Sequence, residues 1–125
     1  MREVGFRVYI VDILDAIQRI DEYLTGLTFE GFSKDTKTVD AVIRNFAVIG
    51  EAAKHVPTSV KKEHPEIAWK RMSGMRDKII HEYFGVDTRI LWDASKIDLQ
   101  ATKPLLESLL EGTVKADSNA KRMSH

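Results

Sequence analysis

The stretch FRVYIVDILDAIQRIDEYL, residues 6–24, decides the fold. Phe6, Ile10, Ile13, Ile17, Ile20 and Leu24 recur at alternating spacings of four and three, which is the period of one apolar face on an α-helix. A second stripe runs through Val39, Val42, Phe46, Ile49, Ala53 and Val56. Pro57 ends it, because proline lacks the N–H that continues a helix. The segment from Gly26 to Lys34 breaks the pattern with two glycines and two aromatics and reads as a short loop. Two long amphipathic helices with a short connection predict an antiparallel helical hairpin.

Beyond Pro57 the pattern is less regular. His64-Pro65-Glu66 reads as a helix start with Pro65 at the first helical position. Ser73-Gly74 interrupts or loosens that helix before Met75, Ile79 and Ile80 resume the apolar pattern. Gly85 suits a C-terminal cap and Asp87 the N-cap of the next helix. Ile90, Ala94, Ile97, Ala101, Leu105 and Leu109 form a last stripe, in which Pro104 is expected to kink or restart the helix. From Gly112 onward no apolar face remains, so 112–125 is expected to be a flexible tail. No segment alternates with a period of two. The expected fold is therefore all-α: an antiparallel four- to five-helix up-and-down bundle in one domain, residues 1–111.

Composition narrows the function classes. At 125 residues, with 43% hydrophobic and 30% charged residues, the chain has the profile of an ordinary globular domain. Its apolar runs fall short of the roughly 20 residues a transmembrane helix needs, and its N-terminus, interrupted by Arg2, Glu3, Arg7 and Asp12, does not read as a secretory signal. The chain has no cysteine, hence no disulfide, thiol nucleophile or thiolate zinc site. A cytoplasmic protein is expected. The formal net charge is +0, which argues against a general polyanion binder, yet charge is unevenly spread. Residues 54–78 hold seven bases (Lys54, Lys61, Lys62, Lys70, Arg71, Arg76, Lys78) against three acids (Glu63, Glu66, Asp77). Such a segment makes either a local positive surface for a phosphate backbone or simply a solvated helix face.

No phosphate-cradling glycine loop, Ser–His–Asp signature or paired-histidine zinc helix is present. Asp12 and Asp15 are three apart and read as solvated charge rather than as metal ligands; His55 and His64 read as surface residues. No metal or cofactor is expected. The unusual stretch is Met75-Arg76-Asp77-Lys78-Ile79-Ile80-His81-Glu82-Tyr83-Phe84. Read as two helical turns, it places Arg76 and Tyr83 on nearly the same face and Asp77 within reach of His81, where a carboxylate would fix the imidazole tautomer. Arg76 and His81 then stand roughly 140° apart, so both reach one phosphate only if Arg76 bends or a second subunit completes the site. These residue types suit RNA cleavage without metal. Histidine moves protons near neutrality, a guanidinium forks onto phosphate oxygens, and a two-fold dimer supplies two histidines for the two proton transfers. On spacing alone, solvated charge beside a partly buried histidine is the better explanation of the stretch.

The pattern Arg, four residues, His, any residue, Tyr (Arg76, His81, Tyr83) resembles the hallmark of the HEPN superfamily, specifically the HepT-like toxins of bacterial and archaeal toxin–antitoxin pairs. Arg44-Asn45 followed by Gly50-Glu51-Ala52-Ala53 is similar to a second family feature. Pro65, Trp69, Gly74-Met75-Arg76, Val86-Asp87 and Trp92 follow in the family's order, and the resemblance covers residues 6–111. It implies a homodimeric helical bundle in which the Arg–His motifs of two subunits, Arg76 and His81, face a common cleft. It implies metal-independent endoribonuclease activity leaving a 2′,3′-cyclic phosphate, and toxicity when uncontrolled. It implies a minimal nucleotidyltransferase antitoxin that transfers AMP to Tyr83, adding bulk and negative charge beside Arg76. Arg44, Asn45 and Glu51 are then expected to support the cleft or the dimer contact, with Asp77 and Lys78 as neighbours of the site. Asp77 departs from the family, where a polar residue, often Asn, follows the motif arginine; its charge would orient His81 or partly neutralise Arg76. The alternative is a non-catalytic helical module that binds nucleotide or docks a nucleotidyltransferase.

Overall fold

The computed structural model describes residues 4–81 and 85–123. A short 3₁₀ turn leads into α1 (Arg7–Leu24), and the chain continues through α2 (Phe29–Lys34), α3 (Thr36–His55), α4 (Thr58–Glu63) and α5 (Trp69–Ile79). A two-residue strand β1 (Ile80–His81) pairs antiparallel with β2 (Gly85–Val86). Then come α6 (Thr88–Asp93), a π-helical turn at Ala94–Asp98 and α7 (Leu99–Met123). The expected all-α bundle is what the chain forms, with α1, α3, α5 and the α6–α7 run as its long members.

Both long stripes are buried as their spacing requires. Phe6, Ile10, Ile13, Ile17, Ile20 and Leu24 on α1 face Val39, Val42, Phe46, Ile49 and Ala53 on α3, with Val56 just beyond it, all at 6% exposure or less. Each such side chain contributes about 1.5–3 kcal/mol of transfer free energy before chain entropy is counted. The directions are antiparallel: Tyr9 at the start of α1 stacks on His55 at the end of α3, centroids 5.3 Å apart. On the other side of α1, Asp21 accepts from Gln100 Nε2 at 2.7 Å and lies 3.9 Å from Lys103 Nζ, so the end of α1 meets the start of α7.

The loop between the first two long helices is itself partly helical. Thr28 caps α2, its Oγ1 accepting from the Gly31 N–H at 3.1 Å, and Phe32 is driven fully into the core. Asp35 caps α3, accepting from both the N–H and the hydroxyl of Thr38. Pro65, by contrast, does not start a helix. Residues 64–68 form a turn that Trp69 closes by donating from Nε1 to the His64 carbonyl at 3.1 Å, so α5 begins at Trp69. Ser73-Gly74 leaves α5 unbroken.

Two departures lie in the last helical run. The expected stripe is buried only in part: Ala94 and Leu109 are buried and Leu105 half-buried, but Ile97 is 63% exposed, Ile90 37% and Ala101 exposed, while Leu91, Ser95, Leu99 and Leu106 are buried instead. The π turn accounts for Ile97 and Ala101, which lie in and after it. The Leu99 N–H reaches back five residues to the Ala94 carbonyl, which inserts an extra residue and rotates the register of everything after it. Pro104 lies inside α7, and the irregularity comes several residues earlier instead. Helical backbone also continues past Gly112 to Met123. One glycine costs only about 1 kcal/mol in a helix, and Lys115, Ala116, Ala120, Lys121 and Arg122 are good helix formers.

Helices α3 and α5 approach closely at Gly50. A Cβ placed on Gly50 would lie 3.3 Å from the Met72 carbonyl oxygen and 3.5 Å from that of Ser73. Both atoms belong to helix backbone, which cannot rotate aside as a side chain does. Gly50→Val is expected to cost about 1–3 kcal/mol in a denaturant titration through overpacking. Gly50→Ala should cost less, because alanine recovers about 1 kcal/mol of helix propensity. At the other end of α3, the two Thr38 hydrogen bonds, side chain first, hold the Asp35 carboxyl below its ordinary range. A carboxyl whose folded value is depressed stabilises the fold above its unfolded value and loses that contribution as pH falls. Asp35→Ala should therefore lower Tm near neutrality, and the gap from wild type should close as acid titrates Asp35.

Candidate active site

The hallmark residues lie across a helix end, not along one helix. Arg76, Asp77 and Lys78 occupy the last turns of α5, which stops at Ile79. His81 is in β1, its backbone opposite Gly85, with Ile80 opposite Val86. The expected two-turn helix is thus corrected: His81 is not four helical residues on from Asp77, and the 140° separation from Arg76 does not apply. The cause is local. Ile79 and Ile80 are adjacent β-branched residues, whose crowded χ1 disfavours helix and favours extended chain. Gly85, at φ +76°, takes a left-handed conformation that side chains resist, and so permits the chain to turn back. Val86 then packs partly buried against the core, and Asp87 starts α6 by accepting from the Ile90 N–H at 3.0 Å. That cap is where the sequence placed it. Gly85 serves the hairpin turn and not a helix C-cap.

Asp77 and Lys78 are exposed at the end of α5. Tyr83 lies outside the described residues, and the side-chain positions of Arg76 and His81 are likewise not among those described. What is described is the support under them. Trp69, Met72 and Met75 bury one face of α5, the Gly50 contact fixes its distance from α3, and Arg71 Nη2 meets Asp98 Oδ2 of the π turn at 3.0 Å. Beneath this ion pair, Phe46, Ile49, Met72, Met75 and Leu99 enclose a small apolar cavity of about 20 Å³. That volume suits one water at most and excludes it as a substrate site. Neither Gly50 as a packing residue nor the Arg71–Asp98 tie was singled out from sequence. Gly50 had a signal, a glycine inside a strong helical pattern; the ion pair spans 27 residues and had none.

The three expected supporting residues of α3 separate. Asn45 is buried at 5% exposure and donates from Nδ2 to the Ala41 carbonyl at 2.9 Å, a contact within its own helix. Arg44 and Glu51 are exposed, seven residues apart and hence on one face. Glu51 serves His55, whose Nδ1 donates to the Glu51 carbonyl at 2.8 Å and lies 3.9 Å from its carboxylate. Asp12 and Asp15 stay on the outer part of α1, and no group of three or more metal-ligating side chains occurs among the described residues. No helix among the described residues is long and apolar enough to cross a membrane.

Comparison with known proteins identifies the family. A family model described as "Ribonuclease HepT-like" matches residues 13–109, which spans α1 to α7 and includes the whole hairpin. A protein of Thermococcus cleftensis named "Probable ribonuclease HepT" is 48% identical over 101 residues, covering 81% of this chain and 92% of its own. Two proteins named "Putative RNase" are also similar. One, from Methanocaldococcus jannaschii, is 44% identical over 93 residues, 74% of this chain and 77% of its own. The other, from Caldanaerobacter subterraneus, is 36% identical over 105 residues, 84% and 94% respectively. No solved structure matches the chain at a significant level. With the family model covering most of the bundle and a near-full-length relative at 48% identity, the chain belongs to the HepT-like ribonuclease family of the HEPN superfamily.

Proposed function

We propose that this protein is a metal-independent endoribonuclease, acting as a homodimer, and the toxin of a toxin–antitoxin pair. The observation that carries the reading is the Arg76–His81 motif, set on the end of a core-anchored helix and the hairpin that follows it, in a chain whose relatives are named as ribonucleases. Rigid elements suit catalytic groups, because misplacement by about 1 Å costs rate steeply.

The chemistry follows from the residue types. His81 removes the proton from a ribose 2′-hydroxyl, and the freed oxygen attacks the adjacent phosphorus. Arg76 forks onto the non-bridging oxygens, where charge builds up in the phosphorane. The P–O5′ bond breaks, and His81 of the partner subunit protonates the departing oxygen. The products are a 2′,3′-cyclic phosphate and a 5′-hydroxyl. One motif histidine per chain makes the second copy part of the proposed site, since one proton is taken up and another delivered. Control is proposed to come from a minimal nucleotidyltransferase. The Tyr83 oxygen attacks the α-phosphorus of ATP, pyrophosphate leaves, and the attached AMP places bulk and negative charge two residues from His81.

Purified wild type should cut single-stranded RNA in EDTA and leave cyclic phosphate ends. His81→Ala should lower the rate by roughly 10²–10⁴-fold, the usual contribution of a positioned proton-transfer group, and Arg76→Ala should lower it without unfolding the bundle. Equal cleavage by wild type and His81→Ala would overturn the assignment and leave a docking module as the better reading. Tyr83→Phe should keep nuclease activity and no longer be silenced by the nucleotidyltransferase with ATP; silencing that persists would rule out this tyrosine as the acceptor.

A further inference from the structure

Helix α6 and the π turn that follows it carry two cations, Arg89 and Lys96, whose side chains lie over aromatic rings. The Arg89 guanidinium carbon stands 4.6 Å from the centre of the Phe29 ring, and Lys96 Nζ stands 5.0 Å from that of Trp92. The rings brace one another. Phe29 meets Trp92 edge-on at 6.1 Å, and buried Phe32 lies 5.4 Å from Trp92 on the core side. Short helix α2, which the sequence reading left as a loop, exists to deliver Phe29 and Phe32 to this point.

An exposed lysine or arginine normally samples many rotamers and must give up that freedom to bind. Here the rings have already restricted both. Asp93 lies 3.5 Å from Arg89 Nε, so this ion pair is made at Nε. Among the described residues Arg89 and Lys96 have no other ion pair or hydrogen bond. Both remain accessible, Arg89 at 63% side-chain exposure. The faces of Trp92 are taken by Lys96 and Phe32, so the patch offers cations and not a stacking platform.

The patch is also close to the hallmark hairpin. Val86 is paired with Ile80, the neighbour of His81. Arg89 follows Val86 by three residues, so their Cα atoms are at most about 11 Å apart. Lys96 lies about 10 Å further along the helical run. Arg89 and Lys96 thus lie within the reach of a few nucleotides from the hairpin that carries His81.

We propose that Arg89 and Lys96, held over Phe29 and Trp92, form a phosphate-binding track for single-stranded RNA on one side of the scissile bond. This rests on the ribonuclease reading for its role, but it is a binding claim and is tested as one. The test uses the full chain and a fluorescein-labelled 12-nucleotide 2′-O-methyl RNA, which lacks the hydroxyl that cleavage needs, with anisotropy followed across salt concentrations. Arg89→Met with Lys96→Met removes both charges and keeps the aliphatic cover on the rings. That pair should weaken binding on the order of tenfold at low salt and reduce the salt slope by about 1.4, two contacts at about 0.7 each for single strands. Arg89→Lys with Lys96→Arg should restore both, and cleavage of a dinucleotide too short to reach the track should be unchanged in either pair. If the methionine pair lowers Tm markedly, Arg89→Gln with Lys96→Gln takes its place.

Unchanged affinity and slope in the charge-removed pair would overturn the track. So would a loss of binding accompanied by a change in oligomeric mass, which would make the patch a subunit contact, or a defect limited to binding a protein partner. Failure of the ribonuclease reading looks different: no cleavage by wild type, with salt-dependent RNA binding through Arg89 and Lys96 intact.

Discussion

Everything that positions the hallmark residues depends on how close α5 comes to α3. At Gly50 the two helices approach until a single methyl group would press on the carbonyl oxygens of Met72 and Ser73. That contact lets Met72 and Met75 seat against Phe46 and Ile49, which sets the height at which α5 ends and the hairpin begins. The Arg71–Asp98 pair adds a second tie on the far side, from α5 to the π turn. It is exposed and contributes little energy by itself. Its value is directional, because it holds α5 between α3 on one side and the start of α7 on the other.

The sequence disclosed the fold where a helix keeps one register throughout. On α1 and α3 every position of the expected stripes is buried, because nothing interrupts the 3.6-residue period between their ends. On the last run the same reasoning chose Ile90, Ile97 and Ala101, all exposed. A π turn shifts the period by one residue without any residue type that announces it; Ala94-Ser95-Lys96-Ile97-Asp98 would sit as comfortably in an α-helix. Proline offered a false signal twice. Pro65 lies in a turn that Trp69 closes through a side-chain hydrogen bond to the His64 carbonyl, and Pro104 is absorbed within α7.

The candidate site was legible as residues and not as geometry. Arg76 and His81 stood out by type and spacing, whereas their separation onto a helix end and a strand depends on Gly85 reversing the chain and on Val86 finding the core. The reversal at Gly85 is local, but the packing of Val86 against the core is a long-range outcome that no window around the motif contains. Asn45 is a similar case. Beside Arg44 it reads as part of a polar pair, yet one side chain is buried and bonded within its own helix while the other is exposed. Neighbours in sequence on a helix point 100° apart, and that angle here is the difference between core and surface.

The proposed mechanism takes one histidine, His81, from each of two copies that share one site. Subunit mixing tests this most directly. Wild type and His81→Ala are unfolded and refolded together at fixed total concentration, and RNA cleavage is measured against the wild-type fraction. A site that uses a histidine from each subunit predicts that activity falls as the square of that fraction, because mixed dimers are inactive. A linear fall, with each wild-type chain keeping its activity whatever its partner, would contradict the shared site.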